Sequence, residues 1–363
     1  MQMAGVTTGV FVTSDTDALF HFHFSRCNLL DTKIYNDKDT FVSSHHDNKV
    51  VCLQMPYPID PNFDAELRYF AENANSVLVL VSELHDRTVE ILQRNDRKNI
   101  AYFICGELNL SLVHSPAHRF YDWFTTTVHF YRNVRPQTLD MLTPHTPKKL
   151  AFDVLLGRRK IHRRFAYDYI VKNNLSDRNI VTYLDSSREC NLTENTTADK
   201  WLWENEGLVV DRDVEWTVEH FPYYNHRMSI SQIIPLSIYN QTVYSIIAET
   251  NCTNHYSFYT EKTVKPIIGR RLFVVLAGQY HLHNLKLHGF KSFDNVIDET
   301  YDTIVDHTAR FMGAMEQVKY LCNHPQEEIL NKIKPIVDHN FNVMMTTDWY
   351  DLYFKPAFVS YFR

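Results

Sequence analysis

The sequence lacks the features that mark several classes of protein. Its 363 residues include only 9 glycines and 13 prolines, a composition of globular rather than fibrous or disordered chains. No window holds the roughly 18 consecutive apolar residues that a membrane helix needs. The start, MQMAGVTTGVFVTSDTD, has no basic region followed by a long apolar core, as a secretion signal would. We therefore expect a soluble, unprocessed, cytoplasmic protein with no membrane partner.

Cysteine and positive charge are also scarce. The net charge of −6 argues mildly against a large nucleic-acid-binding face, because phosphate neutralisation needs clustered Lys and Arg. A local basic groove is still compatible with an acidic chain. The six cysteines are scattered without a closely spaced pair, which favours free thiols over a disulfide frame or a zinc site: Cys27, Cys52, Cys105, Cys190, Cys252 and Cys322.

The length of the chain predicts two domains, since 363 residues exceed the size at which one core keeps growing. The segment 132–149 holds three prolines and no apolar periodicity, which predicts a linker. We predict an N-terminal domain at 1–135, a linker at 136–149, a C-terminal domain at 150–340 and a segment at 341–363 that packs across both.

Short apolar runs alternate with segments of helical spacing in both halves of the chain. Before the linker, KVVCLQM, SVLVLVS and NIAYFICG predict strands, and DAELRYFAENAN and LHDRTVEILQRND predict helices. After it, LAFDVLLG, NIVTYL, TVYSIIAE and RLFVVLAG predict strands, and HRRFAYDYIVKNN and SISQIIPLSIY predict helices. The alternation favours an α/β fold of two doubly wound, Rossmann-like domains that face a cleft. The aromatic C-terminus, DWYDLYFKPAFVSYFR, favours core or inter-domain packing.

Two short patterns suggest metal ligands but favour other interpretations. HFHF alternates at strand spacing and places His21 and His23 on one face, where half-buried strand histidines are commoner than metal ligands. DRD, with Asp211 and Asp213, resembles a manganese-binding pattern of another fold, and we interpret it as coincidence. No metal site is predicted.

The stretch FYTEKTVKPIIGRRLFVVLAG, residues 258–278, combines charges with a buried-strand pattern. Thr260 suits a helix N-cap, which places Glu261 and Lys262 at the first two helical positions. Pro266 predicts a short helix that ends near Gly269. A cation there suits a phosphate and a carboxylate suits sugar hydroxyls. Spacing leaves an alternative open, in which Glu261 complements the helix dipole and the lysines are solvated.

A second basic segment follows the first strand after the linker. Guanidinium groups fit phosphate oxygens in a bidentate way, so a diphosphate suits this strand-to-helix turn. A solvated basic turn or an RNA-contacting patch is the alternative. After Gly157, the basic or titratable residues are Arg158, Arg159, Lys160, His162, Arg163 and Arg164.

These segments resemble a known family. The succession YNQTVYSIIAETNCTNHYSFYTEKTVKPIIGRRLFVVLAG is similar to the nucleotide-binding half of the α-1,3-fucosyltransferase-like glycosyltransferases. The continuation LKLHGFKSFDNVIDETYD looks still closer to uncharacterised glycosyltransferase-like proteins of bacteriophage and other viral genomes. The resemblance covers about residues 148–305. It implies a GT-B fold, a nucleotide-sugar-binding C-terminal domain, an acceptor-side N-terminal domain and, for a viral protein, location in the host cytoplasm.

The resemblance also implies roles for individual residues. Glu261 would contact the ribose or donor sugar and take part in catalysis, and Lys262 would contact the phosphates with Arg163. Glu249 and Tyr256 would line the nucleotide pocket. Pro266 departs from the family pattern, so the base and sugar of the UDP- or GDP-linked donor do not transfer. The remaining predicted donor-binding residues are Arg158, Thr260 and Lys265.

An inverting transfer needs a base for the acceptor hydroxyl and positive charge for the leaving diphosphate. Among strand-end carboxylates we prefer Glu107 as the base, with Glu83 and Asp15 as alternatives. The acceptor is a glycan or a hydroxymethylated base in viral DNA, and neither a metal nor another cofactor is expected. The alternative function is a non-catalytic nucleotide- or nucleic-acid-binding protein.

Overall fold

The computed structural model describes most of the chain as two compact units. Unit 1 is built from Met1–Thr125, His220–His226 and Asp348–Arg363, and unit 2 from Thr126–Glu219 and Arg227–Thr347. Unit 2 thus takes in the whole predicted linker, 136–149, which includes a short helix, Gln137–Asp140. The residues described are 7–13, 17–29, 32–56, 60–84, 86–109, 113–157, 159–183, 220–221, 226–227 and 233–363.

Unit 1 is an α/β structure around a six-stranded parallel sheet. The strand order is β2-β1-β3-β4-β5-β7, so the order reverses between β1 and β3, as in Rossmann-like folds. The strands predicted from KVVCLQM, SVLVLVS and NIAYFICG are confirmed as β3, β4 and β5. The strands are β1 (Thr8–Val12), β2 (Lys33–Tyr35), β3 (Asn48–Gln54), β4 (Ser76–Val81), β5 (Ile100–Cys105), β6 (Glu107–Leu108), β7 (Ala117–Phe120) and β10 (His220–Phe221). The helices are α1 (Asp17–Arg26), α2 (Lys38–Ser43), α3 (Phe63–Asn73) and α4 (Asp86–Arg94), the last two as predicted.

The HFHF segment is helical, and the predicted strand is wrong. It lies in α1, where the buried residues recur at three- and four-residue spacing. His23 Nδ1 lies 2.9 Å from the hydroxyl of Tyr350, while His21 is exposed. Four alternating residues fit a helix as well as a strand, and the decision depends on the longer pattern of Phe20, His23, Phe24 and Cys27.

The aromatic C-terminus belongs to the core of unit 1. It forms a π-helical turn, Tyr350–Phe354, and helix α13, Lys355–Ser360. These rings pack on the sheet together with α1, so the predicted core role is confirmed for this unit. The cluster joins Val10, Leu78, Phe103, Tyr350, Phe354, Phe358 and Phe362.

Unit 2 is an α/β structure around a four-stranded parallel sheet in the order β14-β12-β8-β9. All four predicted strands are confirmed: β8 (Leu150–Leu156), β9 (Ile180–Tyr183), β12 (Thr242–Ala248) and β14 (Phe273–Leu276). The short strand β13 (Tyr256–Ser257) lies outside this sheet. The two-residue strand β11 (His226–Arg227) has its first residue in unit 1 and its second in unit 2. Helix α5 (Asp122–His129) contains the chain boundary between the two units, after Thr125. The other helices of unit 2 are α6 (Gln137–Asp140), α7 (Ile161–Lys172), α8 (Leu236–Tyr239), α9 (Glu261–Ile268), α10 (His281–Leu287), α11 (His307–Cys322) and α12 (Gln326–Thr346). A π-helical turn, Phe130–Val134, and 3-10 turns at Ser176–Arg178 and Glu299–Thr303 complete the unit.

The predicted helix SISQIIPLSIY is helical only at its end, as α8, and 228–232 lie outside the described residues. Pro235 precedes α8, and proline suits the residue before a helix or its first turn because it lacks an N–H. None of the helices within the described ranges is both long and apolar enough to cross a bilayer.

A buried ion pair ties the strands of unit 2 together at their amino ends, which we call the amino edge. Arg271 Nη2 lies 2.5 Å from Asp153 Oδ1. The guanidinium also donates to the carbonyl oxygens of Tyr239 and Thr242 at 2.8 and 2.7 Å and to Ser245 Oγ at 3.0 Å. Burial raises the pKa of Asp153, and the adjacent guanidinium opposes that rise. Arg271, the second arginine of the GRR sequence, therefore stabilises the fold of unit 2.

Candidate functional site

The strand order of unit 2 reverses between β8 and β12. From β8 the chain goes to β9 on one side and later to β12 and β14 on the other. Ligands of open α/β sheets bind beyond the carboxyl ends of the strands at such a reversal. We call this end of the sheet the carboxyl edge; here β8 leads through Gly157 to α7, and β12 leads through Glu249 to the segment before α9.

Helix α7 brings basic side chains to this edge. It begins after Lys160, and no side chain caps its amino end. Arg163 is buried in its first turn, and a Cβ on Gly157 would lie 3.5 Å from Arg163 Nη1. Lys160 Nζ donates to the carbonyl oxygen of Thr250, directly after β12. The basic segment after β8 is therefore folded against the end of β12.

His162 also connects these two segments, the start of α7 and the end of β12. Its Nε2 donates to the carbonyl oxygen of Glu249 at 2.6 Å, and the residue is buried. Burial, aided by the charges of Arg163, Lys160 and Lys262, lowers the pKa of His162 to about 3. The imidazole is therefore neutral at physiological pH and serves as a hydrogen-bond donor, not as a cation.

Glu249 connects the end of β12 to the start of α9. Its Oε1 accepts from the Thr260 amide at 3.1 Å and the Thr263 hydroxyl at 2.6 Å. Its Oε2 accepts from the Thr250 amide at 3.0 Å and the Thr260 hydroxyl at 2.7 Å. Four donors occupy this fully buried carboxylate. Glu249 thus positions Thr260 and α9 at the place where the resemblance implies a wall of the nucleotide pocket.

His281 extends the Glu249 network. Its Nε2 lies 3.3 Å from the hydroxyl of Thr263, which itself donates to Glu249, so His281 donates here. Burial lowers the pKa of His281 to about 4, against the raising effect of Asp302. A neutral histidine, a threonine and a carboxylate thus fix α9 to the sheet.

Helix α9 has the predicted start and end. Thr260 is its N-cap and accepts from the Lys262 amide at 3.3 Å, and the helix ends at Ile268 before Gly269, with Pro266 inside. Lys262 Nζ lies 2.7 Å from Glu261 Oε1, 3.1 Å from Thr250 Oγ1 and 3.3 Å from Thr260 Oγ1. The Glu261 side chain is 4% exposed and that of Lys262 26%. Lys262 therefore remains open to solvent above a buried carboxylate.

The charges of Lys262 and Lys265 outweigh the burial of Glu261, and its pKa is lowered. Burial lowers the pKa of Lys265 to about 8, and the charge of Glu261 opposes that change. Lys265 thus lies close to the same carboxylate, one turn along α9. Glu261 is ionised at neutral pH between two lysines.

Four basic residues converge on the carboxyl edge, and we call them the cationic cluster: Lys160, Arg163, Lys262 and Arg310. Burial raises the pKa of Cys252, just after β12, while the charges of Arg310, Lys160 and Arg163 oppose that rise. Arg310 is held by the carbonyl oxygens of Ala277 at 3.1 Å and Ile304 at 2.5 Å. Cations brought together from three helices favour an anionic ligand between them.

Several of the residues predicted from the sequence lie outside the ranges that the structure describes. Arg158, Asp15, Asp211 and Asp213 are outside the described residues. Tyr256 is buried, and its ring stacks on Phe258 with centroids 5.7 Å apart. The described ranges hold no group of three or more His, Cys, Asp or Glu side chains arranged for a metal ion.

Glu107, the preferred base, belongs to unit 1. Its Oε1 accepts a short hydrogen bond from the hydroxyl of Tyr121, and its Oε2 lies 2.7 Å from Arg119 Nε. The carboxylate is buried together with Tyr121, whereas the Arg119 side chain is 41% exposed.

Sequence reasoning missed Arg310, Thr250 and His281. Arg310 interrupts the apolar face that Phe311, Ala314, Met315 and Val318 form on α11, and a charge on such a face is a usable signal. Thr250 and His281 carry no comparable signal, because their roles depend on contacts with residues distant in the chain.

We compared the sequence with models of known protein families and with curated proteins, and it matches none of them.

Proposed function

We propose that unit 2 binds the diphosphate of a nucleotide-sugar and that the protein is a glycosyltransferase. The observation that carries the proposal is the convergence on Thr250. Lys160 reaches its carbonyl oxygen from α7, and Lys262 reaches its hydroxyl from α9, at the reversal of the strand order. Two ammonium groups around one residue, with Arg163 beside them, suit two linked phosphates better than one.

The buried carboxylate supports a sugar-containing ligand over a simple anion. Glu261 would repel a bare phosphate, whereas an acceptor of hydrogen bonds beside bound phosphates suits ribose or sugar hydroxyls. In a displacement at the anomeric carbon, the cationic cluster would stabilise the charge that develops on the departing diphosphate. The proposed transfer is inverting and does not require a metal ion.

We further propose that the two units are the two α/β halves of a GT-B transferase, since each contains a parallel sheet whose strand order reverses. Glu107 remains our candidate for the base that accepts the proton of the acceptor hydroxyl, from a glycan or a hydroxymethylated DNA base. Glu107→Gln should then abolish transfer while donor affinity stays within about twofold. Loss of donor binding in this variant would contradict the assignment.

The test of the function is ligand binding followed by turnover. UDP, GDP and their sugar conjugates are titrated by calorimetry and by thermal shift, because a ligand of the native state raises its stability. We expect one nucleotide to bind saturably and its sugar conjugate to be hydrolysed slowly without an acceptor. The Lys332→Ala variant, which removes an exposed lysine from α12, is the matched control for Lys262→Ala.

The second candidate is a non-catalytic protein that binds nucleic acid through the basic turn after β8. Arg159 and Arg164, the more exposed residues of that turn, favour it. A linear fall of log affinity for plain DNA or RNA with log salt, and no saturable binding of UDP or GDP, would support this candidate.

A further inference from the structure

The ammonium group of Lys262 is already occupied by protein atoms. It has three N–H donors, and three oxygens lie within 3.3 Å of the nitrogen, those of Glu261, Thr250 and Thr260. An anion that binds to Lys262 must therefore displace at least one of these acceptors. The Glu261 carboxylate is the acceptor that competes most directly, because it carries the same charge as the anion.

We propose that Glu261 is an internal competitor for the anion site, and that binding of a diphosphate exchanges the Lys262–Glu261 ion pair for a Lys262–phosphate pair. In the structure Glu261 Oε1 lies 2.7 Å from Lys262 Nζ. On binding, the phosphate oxygens take over the ammonium, and the carboxylate is released to accept hydrogen bonds from other donors. No covalent bond changes in this step.

Geometry favours exchange over simple addition. Lys262 is 26% exposed and its side chain is long, whereas Glu261 is 4% exposed and is surrounded by protein. The lysine can therefore turn towards solvent while the carboxylate stays in place. Lys265, near the same carboxylate, provides a positive charge that remains when Lys262 leaves. The carboxylate is thus not left without a counter-charge, which would be costly in a buried position.

The exchange gives the site a preference for ligands that offer both charge and hydroxyl donors. A bare diphosphate forms an ion pair with Lys262, but its binding breaks the Glu261–Lys262 ion pair. A nucleotide-sugar regains part of that loss when its hydroxyls donate to the released carboxylate. This inference rests on the proposed donor site, but its central claim concerns only the competition between Glu261 and an oxyanion.

The experiment titrates inorganic pyrophosphate into wild type, Glu261→Gln, Lys262→Ala and the double variant at constant salt. We expect Glu261→Gln to bind pyrophosphate about three- to tenfold more tightly, because the amide no longer competes as an anion. Lys262→Ala should bind it more weakly, and the double variant should match Lys262→Ala, because the competition needs both partners. Glu316→Gln is the control, since it removes a charge from unit 2 and keeps an acceptor for the Tyr169 hydroxyl.

Unchanged or weaker pyrophosphate binding in Glu261→Gln overturns the proposal, as does the absence of binding in both wild type and variant. A wild-type crystal soaked in pyrophosphate tests the same point without a substitution. We expect the Lys262 Nζ to Glu261 Oε1 distance to exceed about 4 Å with phosphate on the lysine. An intact pair beside bound pyrophosphate would refute exchange.

Failure of the exchange and failure of the proposed function are distinguishable. If UDP or GDP binds saturably but Glu261→Gln does not tighten pyrophosphate binding, the donor site stands and the exchange is wrong. If pyrophosphate binds more tightly to Glu261→Gln but no nucleotide or nucleotide-sugar binds, the exchange stands and the proposed function is wrong.

Discussion

Two charged pairs, each with at least one member in the stretch 258–278, lie at opposite edges of the unit 2 sheet. At the amino edge, Arg271 and Asp153 are 4% and 5% exposed, and every guanidinium nitrogen donates to the protein. At the carboxyl edge, Lys262 is partly exposed beside Glu261. Both pairs put opposite charges in contact, but the first is enclosed and the second is accessible. Accessibility at the carboxyl edge, and not the presence of an ion pair, therefore marks the candidate site.

The largest expected effect lies at the amino edge. Arg271→Leu should lower the free energy of unfolding by about 3–5 kcal/mol, because it leaves Asp153 buried without its partner. Arg270→Leu is the control, since Arg270 is 29% exposed and lies 3.4 Å from Asp338, and it should cost about 1 kcal/mol or less. Urea denaturation measures both. Equal stability of the two variants would show that the enclosed Arg271–Asp153 pair contributes no more to stability than the exposed Arg270–Asp338 contact.

At the carboxyl edge, Glu261→Gln should lower sugar transfer, or nucleotide-sugar hydrolysis, by roughly one to three orders of magnitude. The amide loses the charge and one acceptor oxygen for donor hydroxyls. The protein should remain folded, which melting temperatures recorded alongside will show. Normal turnover would mean that Glu261 only complements the helix dipole.

The Glu249 network should make the carboxyl edge sensitive to acid. The pKa of His281 is about 4 in the native protein and about 6.5 when unfolded, so the unfolded chain binds more protons between these values. Stability is unaffected by this group above pH 6.5 and falls as pH decreases towards 4. By pH 4.5 the loss from His281 should be about 2–3 kcal/mol.

Urea unfolding of wild type and His281→Gln at pH 7 and pH 4.5 isolates that loss. Glu299, whose pKa is raised by burial to about 7, acts in the opposite direction between pH 7 and 4.5, and the comparison of the two proteins cancels it. A fall of equal size in His281→Gln would show that His281 is not responsible.

Removal of a positive charge should affect binding more than stability. Lys262→Ala and Arg163→Ala should each lose about tenfold or more in UDP or GDP affinity, on the scale of about 1.5–3 kcal/mol for a charge-assisted bond. Calorimetry measures the change against Lys332→Ala. Unchanged affinity in both variants would mean that the cationic cluster is not the phosphate site.

The smallest effect is expected from chelation. If side chains and helix amides neutralise the leaving diphosphate, EDTA should change transfer little. A complete loss that manganese restores would instead direct attention to Asp211 and Asp213. It would also mean that the cationic cluster is not sufficient for the chemistry.

Much of the local structure of unit 2 is predictable from residues that are neighbours in the chain. Apolar runs predicted β8, β9, β12 and β14. Of these, β12 and β14 are buried along their whole length, and strands enclosed on both faces need continuous apolar residues. Thr260, Pro266 and Gly269 predicted the start and end of α9, because capping and proline geometry depend on near neighbours in the chain. The strand predicted for HFHF was wrong, because an alternation of four residues fits a helix as well as a strand.

The contacts between charged residues, in contrast, depend on how the strands and helices pack in three dimensions. This packing divides the two arginines of GRR between a buried pair with Asp153 and a surface contact with Asp338, and it brings Lys160 and Arg310 to the end of β12. It also surrounds Glu249 with four donors, although the sequence places it at a strand end like any candidate ligand contact. Apart from the amide of Thr250, the partners in these contacts are 11 to 118 residues apart, and the order of strands in the sheet brings them together while local spacing does not encode them.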